Sequence, residues 1–343
     1  MEQSYYLKQG GTLRPFRLSS GTSTRGYSLP LQRVMADFGA DESFYKASSK
    51  IKEHYGVIIP VSGERTVTLT HANKIRQQLK KEVAAKNKRA KKKELKARTG
   101  STFVISETDG SMVPIVVTKK SGKHDGRKNK EVMYREARLT LAHSSNSVLP
   151  VFSVTFENIK TVGNHIRYCV DKAGCGGNSQ IHAIGDGAPW ISDQVGIQFG
   201  SQAKYLIDFY HVSEYLAAAS HECARIEPIK WLHAQQQLLR CGKYETVLTN
   251  LSSYAHGHQD SATYKCHQYL KKRTHQLHYD EAIKNELPIG SGEIESAHRY
   301  IIQNRIKITG AWWLIDNAES MANLAVLRAN NNWDEYWENG KVA

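Results

Sequence analysis

Three acidic residues lie far apart in this sequence, and their types and positions carry its chemistry: Asp109, Asp186 and Glu295. Cleaving or transferring a phosphodiester suits a pair of Mg2+ ions, one activating the attacking oxygen and the other steadying the leaving oxygen. Mg2+ takes hard oxygen ligands, uses few protein carboxylates and keeps several waters. Carboxylates that serve it must project from strand ends, or from a helix start, at one edge of a sheet. Asp109 closes the first β run, Asp186 closes the fourth, and Glu295 lies in the first turn of the helix after Gly290-Ser291-Gly292. Either Asp-Gly pair alone reads equally as an ordinary turn, and an early-helix Glu is favoured by the helix dipole whatever its function. Only the combination points to a metal site. On the same last helix, Arg299 and Arg305 are placed to hold phosphates, although Arg299 also has the spacing to pair with Glu295.

The elements that must position these acids follow from the pattern of the chain. Leu31, Val34, Met35 and Phe38 fall at helical spacing up to Gly39. Asp41 is suited to cap a second helix bearing Phe44, Ala47, Ile51 and Tyr55, which Gly56 ends. A third helix is predicted to begin near His71 and run into a Lys-rich stretch. Three short helices with a basic third one suit a helix-turn-helix module. From Ser101 the period changes to that of strands. TFVISETDGSMVPIVV reads as two β runs around Asp109-Gly110, and LPVFSVTFE as a third. Helix and strand then alternate: a helix to Gly174, a strand to Asp186, a short helix, a strand to Asp208 and another helix. That order is ribonuclease-H-like, an α/β class with a mixed sheet flanked by helices. The interval from Asp186 to Glu295 exceeds what helix, strand and helix require by about 60 residues, and the stretch 227–285 reads as an all-α insertion. The division predicted is therefore 1–98 as a helical N-terminal region, 99–226 with 286–330 as the α/β domain, 227–285 as the insertion, and 331–343 as a tail. Trp231 within the insertion has the chemistry to stack on an unpaired base, or simply to pack in a core.

Charge names the partner. The 343 residues carry 47 Lys and Arg against 33 Asp and Glu. The excess sits in two blocks: Lys74 to Arg98 holds 12 bases and two acids, and Lys119 to Arg138 holds eight bases and three acids. Outside them the chain is close to neutral. Such blocks are what a polyanion binder needs, since each neutralised phosphate releases counterions. Lys88, Arg89, Lys91, Lys92 and Lys93 form the densest run and are the candidate backbone contacts to double-stranded DNA. The first block loses its apolar stripe at KNKRAKKK, which argues against a membrane surface. No apolar run approaches the roughly 18 residues of a membrane span, and the first residues lack a signal peptide's apolar stretch. A cytoplasmic, nucleoid-associated location is expected. Five cysteines without C-x-x-C spacing read as reduced thiols.

Five blocks in order, TDGSMVP, IHAIGDGAPWI, YLIDFYHVSEYL, LPIGSGEIESAHR and RIKITGAWWLIDNAESMANLAVLRA, resemble those of the DDE transposases of bacterial insertion sequences of the ISKra group. The resemblance spans residues 28–337. It implies a ribonuclease-H-like catalytic domain, two Mg2+ ions with Mn2+ able to replace them, cleavage at element ends, and joining of the freed 3′ hydroxyl to target DNA. By matching position, Asp109, Asp186 and Glu295 are the implied metal carboxylates. Glu293 is the rival third acid, about 200° away on the same helix start; the family pattern and the anchoring residues Ile294, Ala297 and Ile301 favour Glu295. Asp208-x-x-His211 resembles the Cys-or-Asp, x-x, His motif of DDE families with a helical insertion, which implies that His211 orients the scissile phosphate or a hairpin end, with Asp208 as its partner. A homo-oligomer on DNA is implied, because two ends must be held together. Two alternatives stay open: a ribonuclease-H-like nuclease that cuts without joining, and a catalytically silent or truncated transposase-derived DNA-binding protein.

Overall fold

The computed structural model describes residues 5–6, 12–13, 26–89, 97–118, 130–254 and 259–339. Two short strands, β1 (Tyr5–Tyr6) and β2 (Thr12–Leu13), pair antiparallel. Three helices follow: α1 (Leu29–Asp41), α2 (Phe44–Tyr55) and α3 (Val61–Arg89). Ser28 caps α1 by accepting from the Leu31 N–H. The cap of α2 is Ser43, accepting from Lys46 N–H, and not Asp41, which is the last residue of α1. Gly56 ends α2 in the left-handed conformation, at φ 66°. Helix α3 begins ten residues before the predicted start near His71, because Ile59 and Val67 are drawn into a core with Met35 and Ile51. Packing of those side chains outweighs the β preference of TVTLT.

Next come β3 (Phe103–Thr118), β4 (Lys130–Ser144), β5 (Val151–Thr155), α4 (Ile159–Lys172), β6 (Gln180–Gly185), α5 (Pro189–Phe199), β7 (Ala203–Ile207) and α6 (Phe209–Cys223). The strands form one five-stranded sheet in the order β5-β4-β3-β6-β7. Strand β4 is antiparallel to β5, whereas β6 is parallel to both β3 and β7. This mixed sheet with flanking helices is the ribonuclease-H-like arrangement predicted. Two strand assignments change. The expected turn at Asp109-Gly110 is absent, and β3 runs through that pair as one strand. Its neighbour β4 lies in the segment read only as a block of charge, where Lys, Arg and Glu obscure the alternation.

Helices α7 (Pro228–Arg240), α8 (Tyr244–Ser252), α9 (Ala262–Lys271) and α10 (Tyr279–Lys284) fill the long interval after α6. Leu239, Val247, Leu251, Cys266, Leu270 and Tyr279 from these helices share a core with Leu206 and Ile207 of β7. Trp231, partly buried, packs against that core. Helix α11 (Gly292–Ala297) then widens into a π-helical turn, His298–Gln303, before α12 (Ile315–Ala329) and α13 (Trp333–Asn339).

The chain divides into two compact units: Met1–Val83, Ser111–Ala137 and Ala297–Ala343 make one, Ala84–Gly110 and Arg138–Ser296 the other. In the first, Arg76 is buried and paired at 2.9 Å with both Asp316 and Glu319 of α12. The second holds the sheet core and helices α4 to α11. Four of the five cysteines are buried and all are free thiols. Among the described residues no helix is long and apolar enough to cross a membrane.

Candidate active site

All three predicted acids belong to the second unit, and two of them lie just beyond registered stretches of the sheet. Strand β3 pairs with β6 so that Phe103 faces Gln180 and Glu107 faces Ile184. Asp109 lies two residues beyond the last registered position of β3, and Asp186 two residues beyond that of β6, just after the strand ends at Gly185. Neighbouring strands lie about 4.8 Å apart, and registered residues of a parallel pair project to the same face. The β6–β7 register, Ile181 facing Ala203 and Gly185 facing Ile207, brings Asp208 into the same row. Asp186 and Asp208 thus directly follow the carboxyl ends of β6 and β7, whereas Asp109 lies within β3.

Asp186 is held by its surroundings. Its Oδ1 accepts from the Ala188 N–H at 2.8 Å, and its carbonyl oxygen accepts from the Tyr269 hydroxyl at 2.8 Å. The next residue, Gly187, donates its N–H to the Tyr205 oxygen at 3.1 Å and accepts from Arg273 Nε at 3.1 Å. Tyr269 stacks on Tyr215, with centroids 4.3 Å apart, and Arg273 covers the Tyr269 ring at 4.1 Å. The inserted helices therefore set the position of the loop that carries the second acid. Nothing in the sequence marks Tyr269 and Arg273 for this task.

Asp208 is buried and fully engaged. Its Oδ1 accepts from the N–H groups of Tyr210 at 2.6 Å and His211 at 3.0 Å, capping α6. Its Oδ2 accepts from the N–H and hydroxyl of Ser291, at 2.6 and 2.5 Å. The expected partnership with His211 is thus a contact to the His211 backbone. The His211 ring, half-buried, has its Nδ1 3.6 Å from Glu214 and lies edge-on to Tyr215 and Tyr269. What Asp208 does is fasten the turn in front of α11.

A residue missed in the sequence fastens that helix from the other side. Glu107 is 2% exposed, and its Oε2 accepts from the Ile294 N–H at 2.9 Å. Burial pushes its carboxyl up to about 8, the Ile294 N–H partly offsetting this and Glu293 adding to it. Alternation along β3 puts Glu107 on the face of Asp109, a signal that SETDG already contained. Glu293 pairs with His143 at 3.3 Å. The other ring nitrogen of His143 donates to the carbonyls of Ser144 and Ser147, at 2.9 and 2.8 Å. Both nitrogens thus face acceptors, and Glu293 raises the imidazole pKa while its own falls beside it. Ile294 is buried, and Glu293 and Glu295 flank it on opposite sides of α11. Glu293 is occupied by His143; Glu295 is exposed, with no side-chain partner among the described residues.

The remaining predicted contacts divide. Arg299 is exposed on the π-helical turn. Arg305 is not available to phosphate: it is 4% exposed, donates to Gly39 O at 3.0 Å, and lies 4.7 and 4.8 Å from the Phe44 and Trp313 ring centroids. Burial holds its guanidinium pKa down at about 10. Lys88 and Arg89 end α3, while Lys91, Lys92 and Lys93 lie outside the described residues. Among the described residues no group of three or more His, Cys, Asp and Glu side chains is arranged to hold a metal ion. Carboxylate oxygens, which Asp109, Asp186 and Glu295 carry, are the donor type that Mg2+ takes.

Among solved structures the chain is similar to the Drosophila P element transposase strand transfer complex, at 11% identity, over 94% of this chain and 83% of that one, with a TM-score of 0.30. No curated protein matches. A family model matches residues 40–285, and its description is an uncharacterised protein family, UPF0236. The match covers all five strands of the mixed sheet and all of the inserted helices, so this chain belongs to the UPF0236 family.

Proposed function

We propose that this protein is a DDE transposase of the ISKra kind, cutting DNA at insertion-sequence ends and joining the freed 3′ hydroxyl to target DNA. The observation that carries the reading is the parallel pairing of β3 with β6, two residues beyond whose last registered pair stand Asp109 and Asp186, with α11 tied to β3 by the Glu107–Ile294 contact. The five sequence blocks support it independently. In this reading Asp109, Asp186 and Glu295 hold two Mg2+ ions, with Mn2+ able to replace them. Bound there, the metal pair would activate the attacking oxygen and stabilise the leaving one. The chain's own part is positional. Strand β3 and the loop after β6 carry two of the carboxylates, and Tyr269 and Arg273 hold that loop. Asp208 and Glu107 fix the helix start that offers the third. In this reading His211, partly exposed in the first turn of α6, donates to a phosphate oxygen, and Arg299 is a further phosphate contact. The Lys88–Lys93 run supplies attachment to duplex DNA and leaves sequence choice to other contacts.

The test is a strand-transfer assay on DNA carrying the element's terminal repeats, with Mg2+ or Mn2+. Asp109→Ala, Asp186→Ala and Glu295→Ala are each expected to abolish nicking and joining while retention of the same DNA persists. Full cleavage by all three variants would remove the assignment. Nicking without joining would favour the nuclease alternative, and binding without either, in the unmutated chain, the silent one.

A further inference from the structure

Helix α6 opens with two aromatic residues whose rings are treated differently. Phe209 is buried among the inserted helices, edge-on to Tyr279 at 5.3 Å. Tyr210 stays 65% exposed, and its hydroxyl has no partner among the described residues. The exposed ring is nonetheless held. A Cβ on Gly290 would stand 2.7 Å from its Cδ2 and Cε2, so only glycine lets the ring lie this close to the turn in front of α11. The backbone on both sides of that contact is fixed. Tyr210 donates its N–H to Asp208, Phe209 donates its N–H to Ile289 O at 2.9 Å, and Ser291 donates to Asp208. Phe209 meets the Tyr210 ring edge-on at 5.8 Å. A ring held so firmly with most of its surface in solvent is a platform on which another flat ring can stack.

A positive charge borders the same place. Arg240, at the end of α7, lies 4.8 Å from the centroid of the Phe209 ring. It is exposed and has no acid partner among the described residues. The Tyr210 ring and the Arg240 guanidinium thus adjoin one buried side chain.

We infer that Tyr210 and Arg240 form a subsite for an unpaired nucleotide, whose base stacks on the Tyr210 ring and whose phosphate meets Arg240. Single-strand sites combine these two features, an aromatic face for the base and a positive charge for the backbone. The bases of an intact duplex are already stacked on one another and offer the ring nothing. The subsite adjoins the Asp208–Ser291 tie in front of α11, so its ligand is a DNA strand opened beside the candidate active site. The inference rests on reading that site as one that processes DNA, and adds that the strand is unpaired there.

The probe is a short duplex ending in a three-nucleotide 3′ overhang with 2-aminopurine at its first position, compared with the blunt duplex of the same sequence. Neither metal nor cleavage is needed. The unmutated chain is expected to prefer the overhang duplex by roughly five- to a hundredfold, the range for one stacked base, and to quench the 2-aminopurine. Backbone contacts elsewhere serve both duplexes, so the ratio of affinities isolates the subsite. Tyr210→Ala is expected to lose the preference and the quenching while holding the blunt duplex as before. Tyr210→Phe and Tyr210→Trp keep a ring and should keep both. Arg240→Ala should reduce the preference and flatten the salt dependence of overhang binding by about 0.7, the value for one single-strand phosphate, and Arg240→Lys should restore that slope. An unmutated chain that binds both duplexes alike overturns the inference. So does a Tyr210→Phe variant as poor as Tyr210→Ala, or a loss equal for both duplexes. Failure of strand transfer with the overhang still preferred would count against the transposase reading alone. Strand transfer by a chain with no such preference would count against the subsite alone.

Discussion

Two buried glutamates show how far a carboxylate's role depends on what it touches. Glu107 accepts the N–H of Ile294, one of the otherwise unpaired donors at the start of α11. Glu107→Ala would leave that donor buried without a partner, a cost of about 1–3 kcal/mol. Glu107→Gln keeps an acceptor oxygen and should fold nearly as well. A urea midpoint clearly lower for the alanine variant than for the glutamine one is expected; equal midpoints would show that the tether contributes nothing. Glu64 in α3 differs, because one of its oxygens accepts from Thr68 at 2.8 Å while the other has no hydrogen-bond partner among the described residues. Burial raises its pKa from 4.5 to about 7. The folded protein therefore holds more protons than the unfolded chain between those values, so this group's contribution to stability falls as pH rises through that window and levels off above it. The full span is about 3 kcal/mol. His71, whose pKa burial lowers to about 4, has the opposite slope, so the difference between the unmutated chain and Glu64→Gln isolates the carboxyl. The glutamine variant should gain on the unmutated chain between pH 5 and pH 8, and parallel curves would refute this.

The loop after β6 is where one element is braced by another. Gly187 has φ 84°, and a Cβ there would stand 2.1 Å from the Tyr269 hydroxyl. Gly187→Ala meets both penalties, the left-handed backbone and the clash, and should displace the loop that carries Asp186. Tyr269→Phe removes only the hydrogen bond to the Asp186 carbonyl. Strand transfer is expected to fall at least about tenfold for the alanine variant, the equivalent of about 1.4 kcal/mol, and less for the phenylalanine one. Adding Tyr269→Phe to Gly187→Ala should recover little, since the backbone strain persists; near-complete recovery would mean that the clash alone matters. The same loop shows what a sequence can disclose. Alternation gave strands ending at Asp186 and Asp208, one residue past the observed ends of β6 and β7, and a helix after Asp208, because Asp186-Gly187 and the change of period there are local signals. The interval from Asp109 to Asp186 was visible too, but only pairing reveals that it equals the offset between β3 and β6. Contacts such as Tyr269 on Asp186 and Asp208 on Ser291 join residues 83 apart, and no local pattern carries them. Strand β4 stayed hidden for another reason: its near half is exposed on both faces, so the polar and apolar alternation of a half-buried strand is missing.

At the scale of the whole molecule, the formal charge of +14 overstates what is available to a polyanion. Within the first basic block, Arg76 and Lys80 are paired with acids of α12, and Lys86 and Arg98 with Asp171. These four bases are partly neutralised before any DNA arrives, and they should release few counterions on binding. The Lys88–Lys93 run has no acid within it. Each phosphate contact steepens the dependence of log affinity on log salt by about 0.9 for duplex DNA. Replacing Lys88, Arg89, Lys91, Lys92 and Lys93 by alanine should therefore flatten the slope by up to about 4.5. The affinity lost should be similar for unrelated duplexes, because phosphates carry no sequence. Replacing Lys80 and Lys86 should change the slope by less than one contact each. Titrations of one labelled duplex at several salt concentrations read both numbers. An unchanged slope in the five-fold variant, or a loss confined to one DNA sequence, would show that the run is not the backbone clamp and would move the search to the second block between Lys119 and Arg138.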